Sequence, residues 1–116
     1  MELHDPPECT EEGLPEPPPM TDDVVAAIGK ALGHPARVRI VMMFRLGRCL
    51  TASSVAHQCA LAQSTVSEHL RVLKGANLLF ARKDGTRVWY CLRRSVLREY
   101  SATVGDMAAK RILEPA

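Results

Sequence analysis

The chain has 116 residues, room for one domain with a modest core, and its formal net charge of +2 conceals an uneven distribution. All fifteen Lys and Arg lie at or beyond Lys30, and eight of the thirteen acids precede Val24, so the body from residue 24 onward carries a net +10. Such a body suits a polyanionic partner or is a solvated basic surface, while its longest strongly apolar run, residues 40–44, is far too short to span a membrane.

Residues 1–20 hold six of the eight prolines, six acids and no Lys or Arg, and read as a disordered acidic arm ahead of a domain over 21–113. The arm lacks the apolar stretch of a secretory signal. Four cysteines (Cys9, Cys49, Cys59 and Cys91) are widely spaced with no Cys-x-x-Cys pair. The expectation is a cytoplasmic protein with reduced thiols and no disulfide framework.

From Asp22 the pattern turns helical. Thr21 or Asp22 can cap a first helix with Val24, Val25, Ile28 and Leu32 on one face, and Gly33 ends it. Pro35 suits the first turn of a second helix, carried by Val38, Val41, Met42 and Phe44 to Gly47. Thr51 caps a third helix running to about Cys59, with Val55 and Ala56 inward. After a break at 60–62 a fourth helix runs from about Gln63 to Lys74, where Gly75 and Asn77 stop it. Residues 78–81 and 88–92 then read as two strands around an Asp84-Gly85 turn. A last helix extends from Ser95 to about Arg111, with Val96, Leu97, Tyr100, Val104 and Met107 as its apolar positions. The fold class is α+β and mostly helical: a winged helix-turn-helix of four helices, a β-hairpin wing and a C-terminal helix.

Helices three and four form the helix-turn-helix. Projected at about 100° per residue, helix four puts Val66, Leu70 and Leu73 on a buried stripe and turns Ser64, Ser67, Glu68 and Arg71 outward. An outward face without an apolar side chain is what a helix in a major groove requires. Arg82, Lys83 and Arg87 make the following hairpin a basic ribbon, able to lie along phosphates or probe a minor groove. The plainer alternatives are an amphipathic helix with a wet face and a solubilising turn.

Residues 31–40 (ALGHPARVRI), 61–73 (LAQSTVSEHLRVL) and 82–90 (RKDGTRVWY) together resemble the arsenic-repressor (ArsR/SmtB) family of bacterial regulators, in order and spacing, over about residues 22–111. The resemblance implies a homodimer paired through the first and last helices, double-stranded operator DNA as partner, and an inducer that releases it. It also implies that Gln63, Ser64, Thr65, Ser67 and Arg71 lie on or near the DNA. Two positions depart from the family pattern. Ala62 stands where a capping Ser is common, leaving Ser64 as a substitute, and Glu68 stands where a basic or amide residue is commoner. An acid there is tolerated at the rim or accepts from a cytosine amine.

The family's soft-metal sensors commonly carry a Cys-x-Cys in helix three, but Thr51 and Ser53 occupy those positions here. Its zinc sensors use Asp and His of the last helix, and residues 95–111 contain Asp106 but no His, so no zinc site of that type is expected. Arsenite or another soft ion held by thiols is left open: Cys49 lies near the usual metal position, Cys9 can swing to it, and Cys59 or Cys91 would have to be the third ligand. Cys49 and Cys59 lie roughly 15 Å apart if the segment between is helical. Buried, unreactive cysteines and thiol oxidation are the competing readings. His69 is expected to pack, hydrogen-bonded, at the edge of the apolar stripe, and His34 belongs to the turn into helix two. No phosphate loop, HExxH, nucleophile elbow or carboxylate pair points to an enzyme. The alternative function is a protein-interaction module that docks an acidic partner on the basic face.

Overall fold

The computed structural model describes residues 6–109. Its elements are α1 (Asp22–Leu32), α2 (Pro35–Met43), α3 (Ala52–Cys59), α4 (Gln63–Gly75), β1 (Leu79–Asp84), β2 (Arg87–Leu92) and α5 (Arg94–Ala108). The residues 110–113 of the expected domain, Arg111 at the expected end of the last helix, and the first five residues of the arm lie outside the described residues.

Local chemistry starts the helices where expected. The Thr21 hydroxyl accepts from the Val24 N–H at 3.3 Å, and Asp22 and Asp23 complement the positive end of α1. His34 Nδ1 accepts from the Ala36 N–H at 3.1 Å, with Pro35 behind it in the first turn of α2. Thr51 does the same for α3, and Ala60 closes that helix in the left-handed region with φ 53°. Helix α2 stops at Met43, short of the expected Gly47. Arg94 Nη2 donates to the Phe44 and Arg45 carbonyls, and Gly47 takes φ +80°, so the chain turns there.

The core lies among all five helices and one face of the hairpin. Val66, Leu70 and Leu73 of α4 are fully buried against Ile28, Ile40 and Phe44, with Leu79, Leu92 and Val96 closing the cluster. Val38 and Met42, counted as inward for α2, are instead 45% and 49% exposed, and Ile40 with Val41 does the packing. No described helix is long and apolar enough to cross a membrane.

The hairpin pairs Leu79 with Leu92 through Asp84 with Arg87, longer at its tip than expected, and Gly85 with φ +62° begins a two-residue turn. Its alternation gives it two faces. Leu79, Tyr90 and Leu92 meet the main core, while Phe80, Trp89 and Cys91 form a second buried cluster with Cys49. Residues 6–20 form no helix, and they cover that second cluster with Cys9 and Leu14. Composition gives no sign of this attachment, because polar anchors hold it. Glu8 bridges Arg48, its carbonyl accepts from Arg82 Nη1 at 2.8 Å, and Arg93 donates to the Pro15 carbonyl.

Candidate nucleic-acid interface and thiol cluster

Helix α4 exposes Gln63, Ser64, Thr65, Ser67, Glu68 and Arg71 to solvent, with Ser64, Ser67, Glu68 and Arg71 turned away from its buried stripe. No side chain caps its N-terminus at Ala62, as that residue type requires, and Ser64 does not substitute as a cap. The first N–H groups of the helix therefore remain available to an external acceptor. Arg71 donates to both carboxylate oxygens of Glu68, at 3.0 and 2.6 Å, and holds that carboxyl below its usual range.

The wing supplies three cations with different surroundings. Lys83 is exposed near the tip. The Arg87 guanidinium lies 5.8 Å from the Trp89 ring centre. Arg82 is turned under the arm onto Glu8. Between wing and helix-turn-helix runs an open groove of about 490 Å³, lined by Thr51, Ser53, Gln63, Thr86 and Arg87 among others. It has the polar lining that a sugar–phosphate backbone needs.

His69 packs as expected, buried on α4 with its ring 4.7 Å from that of His34, but against the expected hydrogen bonding its Nδ1 has no partner among the described residues. Burial, then the neighbouring His34 and Arg37, lower its pKa.

The cysteines correct the expectation of fully reduced, dispersed thiols: Cys49 and Cys91 are joined in a disulfide. The cause is a contact absent from local sequence signals. Leu50 and Tyr90 exchange both backbone hydrogen bonds, at 2.9 and 2.8 Å, which adds a one-residue rung to the outer side of β2. The next pair along an antiparallel ladder is the close, non-hydrogen-bonded one, and that pair is Cys49 with Cys91, Cα atoms 4.5 Å apart. Cys9 comes down from the arm, donating weakly to the Leu92 carbonyl at 3.6 Å, and the three sulfurs lie within 4.8 Å of one another. Burial raises the Cys9 pKa against the lowering influence of Arg94. Cys59 lies elsewhere, its sulfur 3.5 Å from Met43 Sδ. Sequence reasoning also missed Glu11. That residue accepts from the Ser95 N–H at 3.0 Å, from the Ser95 hydroxyl and from Arg93 Nε at 3.1 Å, so the arm caps the otherwise uncapped start of α5.

Residues 32–79 match the model of a helix-turn-helix domain family. The chain is 37% identical over 78 residues to the HTH-type transcriptional regulator CmtR of Mycobacterium tuberculosis, covering 67% of this chain and 65% of that relative, just under two thirds of its length. It is 30% identical to the nodulation protein NolR of Rhizobium meliloti over 80% of this chain and 77% of that one. Among solved structures it is similar to the homodimeric winged helix-turn-helix DNA-binding domain of a possible ArsR-family transcriptional regulator from Mycobacterium bovis. There the identity is 32% and the TM-score 0.62, over 74% of this chain and 79% of that one. An ArsR-like transcriptional regulator from Rhodococcus, 22% identical with TM-score 0.68 over 75% of this chain and 81% of its own, shares the fold. With a helix-turn-helix, a basic wing and these relatives, the chain belongs to the ArsR family of winged helix-turn-helix transcriptional regulators.

Proposed function

We propose that the chain is a homodimeric repressor that reads operator DNA with α4 and the wing, occludes a promoter, and is released by an inducer acting on its thiols. The observation that carries the DNA-reading part is the division of α4. Val66, Leu70 and Leu73 lock it into the core, while Gln63, Ser64, Thr65, Ser67, Glu68 and Arg71 are all exposed. Arg71 is the base reader, having the fork geometry for a guanine edge. The open N–H groups around Gln63, Ser64 and Thr65 take a phosphate. Lys83 and Arg87 follow the backbone across the groove, joined by Arg82 when the arm leaves it.

The homodimer is supported by the Mycobacterium bovis relative, which is homodimeric, and by the apolar Val104 and Met107 left exposed on α5. Pairing through α1 and α5 places two reading helices on half-sites about one helical turn, or a multiple of it, apart.

Fluorescence anisotropy of the full chain on a labelled duplex from upstream of its own gene, against scrambled competitor, tests the reading. Specific binding at physiological salt is expected, weakened about ten- to a hundredfold by Arg71→Ala. Equal competition by scrambled DNA, with Arg71→Ala unchanged, would instead fit a module that docks an acidic protein.

A further inference from the structure

One flank of α4 rests on the start of α2 through two imidazoles. His69 lies between Glu68, which is bonded to Arg71, and Leu70, which is sealed in the core. It is 8% exposed, and its ring meets the His34 ring with the centres 4.7 Å apart and the planes inclined at 60°. Its Nδ1 is buried without a partner among the described residues. His34 is exposed and starts α2, its Nδ1 accepting from the Ala36 N–H at 3.1 Å. The same ring therefore caps one helix and abuts another.

We propose that His34 and His69 are positioning residues for operator reading: the uncharged pair fixes α4 against the start of α2, and a proton on either ring releases it. The consequence for DNA rests on the regulator reading above; the link between the two helices does not.

Each ring has its own reason to stay uncharged. To cap α2, His34 must offer a lone pair at Nδ1, which places its proton on Nε2. An imidazolium carries protons on both nitrogens and leaves the Ala36 N–H without its acceptor. For His69 the reason is burial. The charged and titratable groups acting on it are His34 from the turn before α2, Arg37 from α2 and Glu68 from α4 itself. Burial first, then His34 and Arg37, lower its pKa, against a smaller raising effect of Glu68. The Glu68 carboxylate is already engaged by Arg71 and makes a poor counterion. A base whose folded-state pKa lies below its unfolded value contributes stability that is present above the unfolded value and lost as pH falls below it. The contact therefore weakens on the acid side of the ordinary imidazole range, about pH 6.5.

What DNA binding loses is discrimination, not attraction. Releasing α4 takes Arg71 from the geometry that a bidentate base contact needs, while the added positive charge strengthens binding to any phosphate backbone. The quantity that falls is the ratio of operator to scrambled affinity.

Anisotropy of the full chain on operator and scrambled duplexes, repeated from pH 7.5 down to 5.5, measures that ratio, with circular dichroism verifying the fold at both ends. It should fall about tenfold, the span of one imidazole titration. The deciding variant is His34→Asn, since Asn accepts the cap bond without titrating and the residue is exposed; its ratio should fall less than about threefold. The double variant His34→Asn with His69→Gln should be flat, and His57→Gln should keep the parent's fall. A parent ratio that stays constant, or His34→Asn falling as steeply as the parent, overturns the assignment. Without DNA, NMR of the labelled chain over the same range should show the Ala36 and Arg71 amides shifting with one midpoint, shared with the His34 ring. An unmoved Arg71 amide, or separate midpoints, overturns the link between the helices whether or not the chain binds DNA. A shared midpoint in a chain that binds no specific DNA supports the link and sinks the regulator reading.

Discussion

Arg71 and Glu68, one turn apart on the outward face of α4, are joined by two hydrogen bonds before any DNA arrives. On the proposed reading of DNA by Arg71, the acid both holds that arginine in place and competes with the base for it. Glu68→Gln removes the charge and weakens the competition. We expect severalfold tighter binding to operator and scrambled duplex alike, with a steeper loss on adding salt, because one repulsive charge fewer faces the phosphates. Anisotropy across a salt series measures this. Weaker operator binding with scrambled DNA unaffected would show instead that Glu68 itself accepts from a base.

The arm covers Arg82 and carries six acids within its first twenty residues. Removing residues 1–19 uncovers one cation of the wing, proposed to meet phosphate, and removes a local negative field. DNA binding should tighten about tenfold at low salt, and the gap should close as the Debye length shrinks below the arm-to-DNA distance. Equal affinity with and without the arm at 50 mM salt, on the order of a 14 Å screening length, would mean that the arm leaves the wing on binding at no cost.

Most of the frame was legible in the sequence because short-range chemistry dictates it. Thr21, His34-Pro35 and Thr51 start their helices by bonds within three residues, and the Asp84-Gly85 turn sets the hairpin. The stripe Val66, Leu70, Leu73 faces inward as its spacing dictates. The outward face of α4 and the wing cations were legible for the same reason. What escaped depends on contacts across forty residues or more: the single Leu50–Tyr90 rung that brings Cys49 to Cys91, and Glu11 reaching Ser95. A lone ladder rung has no periodicity, and an acid that caps a helix from 84 residues away has no local signature. The arm's composition was read for apolar burial, while its attachment is mostly polar.

Glu11 makes stability depend on pH. Burial pushes its carboxyl upward, but the bonds from the Ser95 hydroxyl and N–H and from Arg93 outweigh it, leaving a net lowered pKa. A carboxylate with a depressed folded-state pKa contributes stability that is fully present above its unfolded value and is lost as pH falls through the folded one. Glu11→Gln should therefore cost about 1 kcal/mol at pH 7, a helix cap's worth, and the difference from the parent chain should vanish between about pH 5 and pH 3. Urea midpoints at the two ends of that range decide it. A difference that stays constant with pH would assign the loss to packing rather than to the charge.

The Cys49–Cys91 bond closes a loop with a sequence separation of 42 and ties the start of α3 to the wing. Restricting the unfolded chain in this way is worth about 4 kcal/mol on the loop-entropy scale, with 2–4 typical of measured bridges. Reduced chain should therefore unfold at clearly lower urea, and Cys49→Ala with Cys91→Ala should unfold at about the same point whether or not reductant is present. The loss should fall chiefly on the wing: hydrogen exchange at the Leu50 and Tyr90 amides, which bond each other's carbonyls, should accelerate more than that of Leu70 in the core of α4. If reduction leaves both the urea midpoint and the Tyr90 exchange rate unchanged, the bond does not form in solution.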